Sequence, residues 1–346
     1  MERKPAYGWV VLAAAATAAL CYLPHLRLAF SAVEEDAKLM AAFGTLTTFA
    51  IQAILMLPLL CITPALWARS AWRTHPAALV LLALVAFATG HMAGGTVQEG
   101  LYAMLLIAPA GALIYGMQRM KLSNFRVVFY GSIALLAGLF GQICLPSMLA
   151  EGDAYLALKN LVSAYEVEWN YMAELMTGID ASQREATQAI GDMLAELKIY
   201  PEVSTLQLLY YPAALAALAN GLLSHLFNRR GGADLQKLPP FEEWQVESGY
   251  FYGTLALTAV AYILTMTGVS YGMGLLRVAY AMWLLPMSLA GLCALKRWTK
   301  GRAWVFVLAC VFTGLFYSMV GQMLAILGML SFIQQRMKRR MQGGDK

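Results

Sequence analysis

LYAMLLIAPAGALIYGMQRMKLSNFRVVFYGSIALLAGLFGQICLPSML, residues 101–149, holds two apolar runs, 101–117 and 127–149, joined by a short stretch whose charged groups are Arg119, Lys121 and Arg126. Each run is close to the roughly 20 residues that a helix needs to cross a hydrocarbon core about 30 Å thick, and neither contains a charged side chain. Seven more runs of this kind lie near 8–24, 41–67, 77–92, 206–227, 250–267, 275–295 and 303–333. The reading that follows is all-α: a polytopic bundle of 9–10 membrane segments, the last a bent or broken pair.

Composition excludes the soluble alternative. Apolar residues make up 60% and charged residues 13%, with mean hydropathy +0.60, whereas charged residues alone form about a quarter of a soluble domain. In lipid every backbone amide must be satisfied internally, and these runs are too long and too uniformly apolar for barrel strands. Cys21, Cys61, Cys144, Cys293 and Cys310 all fall inside apolar runs, with spacings that fit neither a zinc ribbon nor a redox pair, so they read as small hydrophobes. No metal or other cofactor is expected. The 20 methionines read as filler between helices.

Lys and Arg accumulate in cytoplasmic loops, which orients the chain. Arg3 and Lys4 place the N-terminus inside, acidic Glu34, Glu35 and Asp36 lie outside, and Arg69 with Arg73, then Arg119, Lys121 and Arg126, return inside. Arg229, Arg230 and Lys237 mark the next inner loop, followed by Lys296, Arg297, Lys300 and Arg302. The tail cluster Arg336, Lys338, Arg339 and Arg340 also demands the inside, which a single crossing through 303–333 would deny it. Gly314, Gly321 and Gly328 punctuate that run, so a bend near Tyr317–Gly321 is expected; one long tilted helix with an outer tail is the alternative.

Residues 151–203 carry ten acidic residues and three basic ones. Tyr155, Leu158, Val162, Tyr165, Trp169, Met172 and Met176 recur at helical spacing. Gly178 can end that helix, and Ser182 with Glu185 forms a capping box for a second helix that Pro201 would stop. The expected organisation is N-terminal membrane helices over 1–150, an extracytoplasmic helical hairpin over 151–203, C-terminal membrane helices over 204–335 and a basic cytoplasmic tail over 336–346.

Few ionisable groups enter the runs. His91 and Glu99 flank the glycine-rich stretch ATGHMAGGTVQEG, which reads as a break able to line a cavity, and Arg277 sits just inside the eighth run. With Gln142 these form the candidate substrate-binding set. Gln52, Asn220, His225 and Gln322 read first as interhelical hydrogen-bonding groups. Ala14 with Ala18, and Ala15 with Ala19, give small-residue faces for helix docking. No HExxH, nucleophile elbow, phosphate loop or ligand cluster is present, so no catalytic residue is expected and the chain is read as a non-enzyme.

LIYGMQRMKLSNFRVVFYGSIALLAG at 113–138, the acidic helical insert, LPPFEEW at 238–244 and ILGMLSFIQQRMKRRM at 326–341 together give a chain that resembles the YybS-like family of bacterial integral membrane proteins. That family is in turn similar to the substrate-capturing S components of energy-coupling-factor transporters. The resemblance implies a first-helix A-x-x-x-A docking surface, which Ala14 and Ala18 or Ala15 and Ala19 match. The leading functional reading is a transport-related subunit of the bacterial inner membrane that lacks its own energy source. The alternative is a non-transporting scaffold recruiting partners through its hairpin and basic loops. Lipid and membrane subunits are the expected partners, and nucleic acid is not.

Overall fold

The computed structural model describes residues 7–25, 37–156, scattered residues between 159 and 195, 201–230, 240–269, 272–299, 302–315 and 317–343; for 37–53, 202–205, 207–208, 230, 303, 313–319 and 339–343 it describes the backbone alone. The helices are α1 (Gly8–Tyr22), α2 (Ala37–Arg73), α3 (Ala77–Gly94), α4 (Val97–Arg119), α5 (Asn124–Glu151), α6 (Pro201–Arg230), α7 (Ser248–Met266), α8 (Gly272–Trp298), α9 (Ala303–Leu315) and α10 (Tyr317–Gly343). There is no strand among the described residues. Among the described residues seven segments are long and apolar enough to cross a bilayer: α1 with its following turn, Ile54–Arg73 of α2, α3, α4, α5, α7 and α8. Leu84 and Ile263 are each 59% exposed and Trp304 68%. Large apolar side chains turned outward from such helices are solvated by lipid.

Sequence explains where the helices stop. Gly95 (φ 76°) closes α3 in the left-handed conformation, and Thr96 then caps α4, its hydroxyl accepting from the Glu99 amide at 3.2 Å. Ser123 does the same for α5. Pro201 opens α6, where its missing N–H would have been unpaired in any case; the end of the insert helix that it is expected to stop lies outside the described residues. The helical hairpin itself lies largely outside the described residues, as do Gly178, Ser182 and Glu185.

The chain divides into two compact units, Met1–Gln236 and Lys237–Lys346. The expected boundary at 203 falls within α6, and α10 runs on through the expected boundary at 336 to Gly343. In the first unit α2 packs against α1, α4 and α6, α3 against α1 and α4, and α5 against α4 and α6. Trp67, fully buried, anchors the core with Leu20, Leu82, Ile107 and Leu135. Its ring lies on Gly111, where a Cβ would approach the Trp67 Cβ to 3.0 Å.

In the second unit α8 packs against α7 and α10. The Ser288 hydroxyl donates to the Gly321 carbonyl at 3.0 Å, and the Arg297 guanidinium donates to the Ser331 hydroxyl at 2.6 Å. Partners rising together along both helices mean that α8 and α10 run parallel. A Cβ on Gly291 would fall on the Leu324 carbonyl, and one on Gly328 on the Met287 carbonyl, so the two backbones cross in contact. Parallel neighbours require a return between them. The run 303–333 is accordingly divided, α9 ending at Leu315 and α10 beginning at Tyr317, at the upstream edge of the expected bend.

Candidate functional site

Two features of the membrane helices carry chemistry, one in each unit. In the first, Pro64 interrupts α2 and leaves the Leu60 carbonyl without its usual i+4 donor. Asn220 of α6, fully buried, fills that gap: its Nδ2 donates to the Leu60 carbonyl at 2.6 Å and to the Ala216 carbonyl at 2.8 Å, while its Oδ1 accepts from the Ala65 amide at 2.8 Å. The polar column continues along α6. Ser224 Oγ accepts from Gln118 Nε2 at 2.6 Å, and Asn228 Nδ2 donates to Gln118 Oε1 at 2.9 Å. Asn228 Oδ1 and His225 Nε2 are enclosed and have no hydrogen-bond partner among the described residues.

Beside that column lies the basic end of the unit. Trp67 faces Gly111 and Trp72 meets Tyr115 edge-on at 5.7 Å, so α2 and α4 are parallel and finish together at Arg73 and Arg119. Val127, at the start of α5, shares a small core with Ile114 and Met117 there. The Trp9 ring stacks below the Arg69 guanidinium at 5.1 Å and lies 5.5 Å from Phe227, and Ser70 donates to the Trp9 carbonyl. Across the core, Trp67 Nε1 donates to the Thr17 hydroxyl at 2.9 Å, tying α1 to α2.

In the second unit the feature is the interruption between α9 and α10. The 13 residues of α9 span only about 20 Å at ~1.5 Å per residue, short of the ~30 Å core. Gly321 lies level with Ser288, and Tyr317 precedes it by one turn; α10 therefore begins opposite the middle of α8, near Pro286. At the far end, the Gln335 amide oxygen accepts from the Ser331 hydroxyl at 3.1 Å, Phe332 stacks on Phe251 at 4.4 Å, and Arg336 lies over the Tyr252 ring at 4.9 Å. Lys296 pairs with Glu242 at 3.2 Å and faces the Phe241 and Phe306 rings.

The candidate residues read from sequence are distributed differently. His91 is exposed, its ring stacked on Phe87 at 6.4 Å, and Glu99 is half-buried. No hydrogen bond joins them among the described residues. The helix does break within this stretch, but only at its end: α3 is helical through Gly94 and closes at Gly95 before α4 starts at Val97, while a Cβ on Gly90 would lie 2.5 Å from the Ala103 Cβ. These glycines allow α3 and α4 to touch. Gln142 is half-buried one turn beyond Gly138, whose Cβ would meet the Leu106 backbone at 2.8 Å. It thus stands near the level of Tyr102, a buried residue whose hydroxyl has no partner among the described residues. Arg277 belongs to the second unit, half-buried in the first turns of α8. Ala14 packs on the core and Ala18 is half-buried, whereas Ala15 and Ala19 face outward.

The polar column carried a signal that was overlooked, because Asn220, Ser224 and Asn228 recur every four residues and so share one face. Outside the membrane, the Asp153 carboxylate accepts from Lys159 at 2.7 Å and from the Tyr155 amide at 2.9 Å. The Lys159 hydrogen bond, helped by that amide, holds its pKa below the ordinary carboxylate value. Among the described residues no group of three or more His, Cys, Asp or Glu side chains is placed to hold a metal ion.

Residues 38–332 match a family model described as predicted membrane protein (DUF2232). No curated protein and no solved structure matches the chain.

Proposed function

Because the chain belongs to the DUF2232 family of predicted membrane proteins, we propose from that premise that it is a transport-related subunit, a substrate-binding membrane component that relies on another protein for energy. The observation that carries this reading is the interruption between α9 and α10 opposite the middle of α8. Non-helical backbone at that depth is tolerated where protein or a water-filled cavity covers it, and paired half-helices at mid-depth are how secondary transporters build substrate sites. The basic ends of α2, α4, α8 and α10 face the cytoplasm of a bacterial inner membrane on this reading, as the distribution of Lys and Arg favours. The outward Ala15 and Ala19 give a partner helix a surface for close approach.

Affinity purification in mild detergent followed by mass spectrometry tests the proposal. A co-purifying ATPase pair or a retained small molecule is expected, and Ala15→Leu with Ala19→Leu should release the protein partner while leaving the chain monodisperse. Recovery of the chain alone, free of small molecules and with cysteines placed at 314–318 inert to a water-soluble maleimide, would overturn it.

A further inference from the structure

Cations concentrate at one end of the first unit. Arg69, Arg73, Arg119, Lys121, Arg126 and Arg229 gather where α2, α4 and α6 finish and α5 starts, brought together by the Trp72–Tyr115 and Asn228–Gln118 contacts. Among the described residues Glu99 opens α4 at its opposite end, Glu151 and Asp153 follow the far end of α5, and Glu166 and Asp192 belong to the insert beyond them.

Arg73 and Arg119 flank the Trp72–Tyr115 pair. Tyr115 Oη accepts from Arg119 Nη1 at 3.3 Å, which aims that guanidinium. Arg73 Nε and Trp72 Nε1 are enclosed, with no hydrogen-bond partner among the described residues. An arginine whose stem is enclosed beside an indole, at the end of an apolar span, holds its charge at the depth of lipid headgroups.

We propose that Arg73 and Arg119, with the Trp72–Tyr115 edge between them, bind the phosphate of an anionic phospholipid headgroup. Guanidinium forks match phosphate oxygens two at a time, and the bilayer supplies that anion at the depth of Arg73 and Arg119. The acyl chains then lie along the apolar outer faces of α2 and α4, where Leu101, Leu105 and Leu113 are exposed.

The test uses the full chain, stripped of lipid in detergent, with retained lipid counted by native mass spectrometry and thermal unfolding followed in parallel. Phosphatidylglycerol should bind and raise the unfolding temperature, whereas phosphatidylcholine and inorganic phosphate should not. Arg73→Gln with Arg119→Gln should weaken phosphatidylglycerol binding about thirtyfold, from the roughly fivefold that each basic residue contributes near an anionic surface. Lys159→Gln, at the opposite end of α5, should leave it unchanged. Should the double glutamine variant fail to purify, Arg73→Lys with Arg119→Lys keeps the charge and loses the fork, and should bind severalfold more weakly. Equal retention of phosphatidylcholine, equal stabilisation by inorganic phosphate, or undiminished phosphatidylglycerol binding in the variants would each overturn the assignment.

Discussion

Asn220→Ala is the most informative single change in the first unit. Interhelical hydrogen bonds in bilayers contribute only about 0.6 kcal/mol on average, up to about 1.7, because the unfolded chain in the membrane also finds partners. The Leu60 carbonyl differs, since Pro64 cannot donate to it and Asn220 Nδ2 does so at 2.6 Å. An acceptor left bare in the interior costs about 1–3 kcal/mol, so this one group outweighs the average of the others. With the lost contacts to Ala65 and Ala216, the total is about 2–4 kcal/mol. Pro64→Ala supplies the missing N–H from within α2. In that background the same Asn220→Ala change should cost about 1–2 kcal/mol less, a coupling readable by a double-mutant cycle. Reversible unfolding in mixed micelles, followed by tryptophan fluorescence, measures all four corners. Equal cost of Asn220→Ala with proline and with alanine at 64 would refute the argument that the side chain completes the interrupted helix.

Gly291→Leu should part α8 from α10, because even its Cβ would strike the Leu324 carbonyl; the expected cost is at least about 2–3 kcal/mol, seen as loss of monodisperse protein. Gly253 on α7 has nothing within 4 Å, so Gly253→Ala should be neutral or gain about 0.5–1 kcal/mol in the same assay. In a cysteine-free background, cysteines at Arg302 and Lys338 should be labelled by an impermeant reagent from one and the same side of sealed vesicles; labelling from opposite sides would refute the parallel α8 and α10. The depressed Asp153 pKa means that its stabilisation is complete above the ordinary carboxylate value of the unfolded chain and is lost as pH falls through the lower folded one. Hydrogen exchange at 153–160, corrected for intrinsic rate, should therefore accelerate only in that acid range, and Lys159→Ala should move the onset to higher pH.

Much of this fold is legible in the chain because bilayer thickness is a hard length constraint, one that 101–117 and 127–149 satisfy within a few residues of α4 and α5. The division of 303–333 was legible for a different reason: the charge of 336–340 and the glycines at 314 and 321 both opposed a single crossing. Glycine plays two parts at 90–95, with Gly95 closing α3 while Gly90 and Gly94 sit against α4. In lipid the same residue serves as a helix breaker and as a contact point for a neighbouring backbone, and only the approach of Ala103 and Glu99 decides for the second. Pro201 starts α6, a role that its residue type alone does not separate from ending the helix before it. The pairing of Pro64 with Asn220 was beyond sequence altogether, because the two stand more than 150 residues apart and nothing local to either names the other.

That separation has a consequence for how the protein is made. Leu60 emerges 160 residues before Asn220, and at roughly 5–20 residues per second the ribosome takes about 8–32 s to deliver the partner. Throughout that interval the second helix has a bare carbonyl within the bilayer. An insertase or chaperone that shelters nascent helices has its longest task here, and the polypeptide cannot complete its amino-terminal half until translation has passed residue 220.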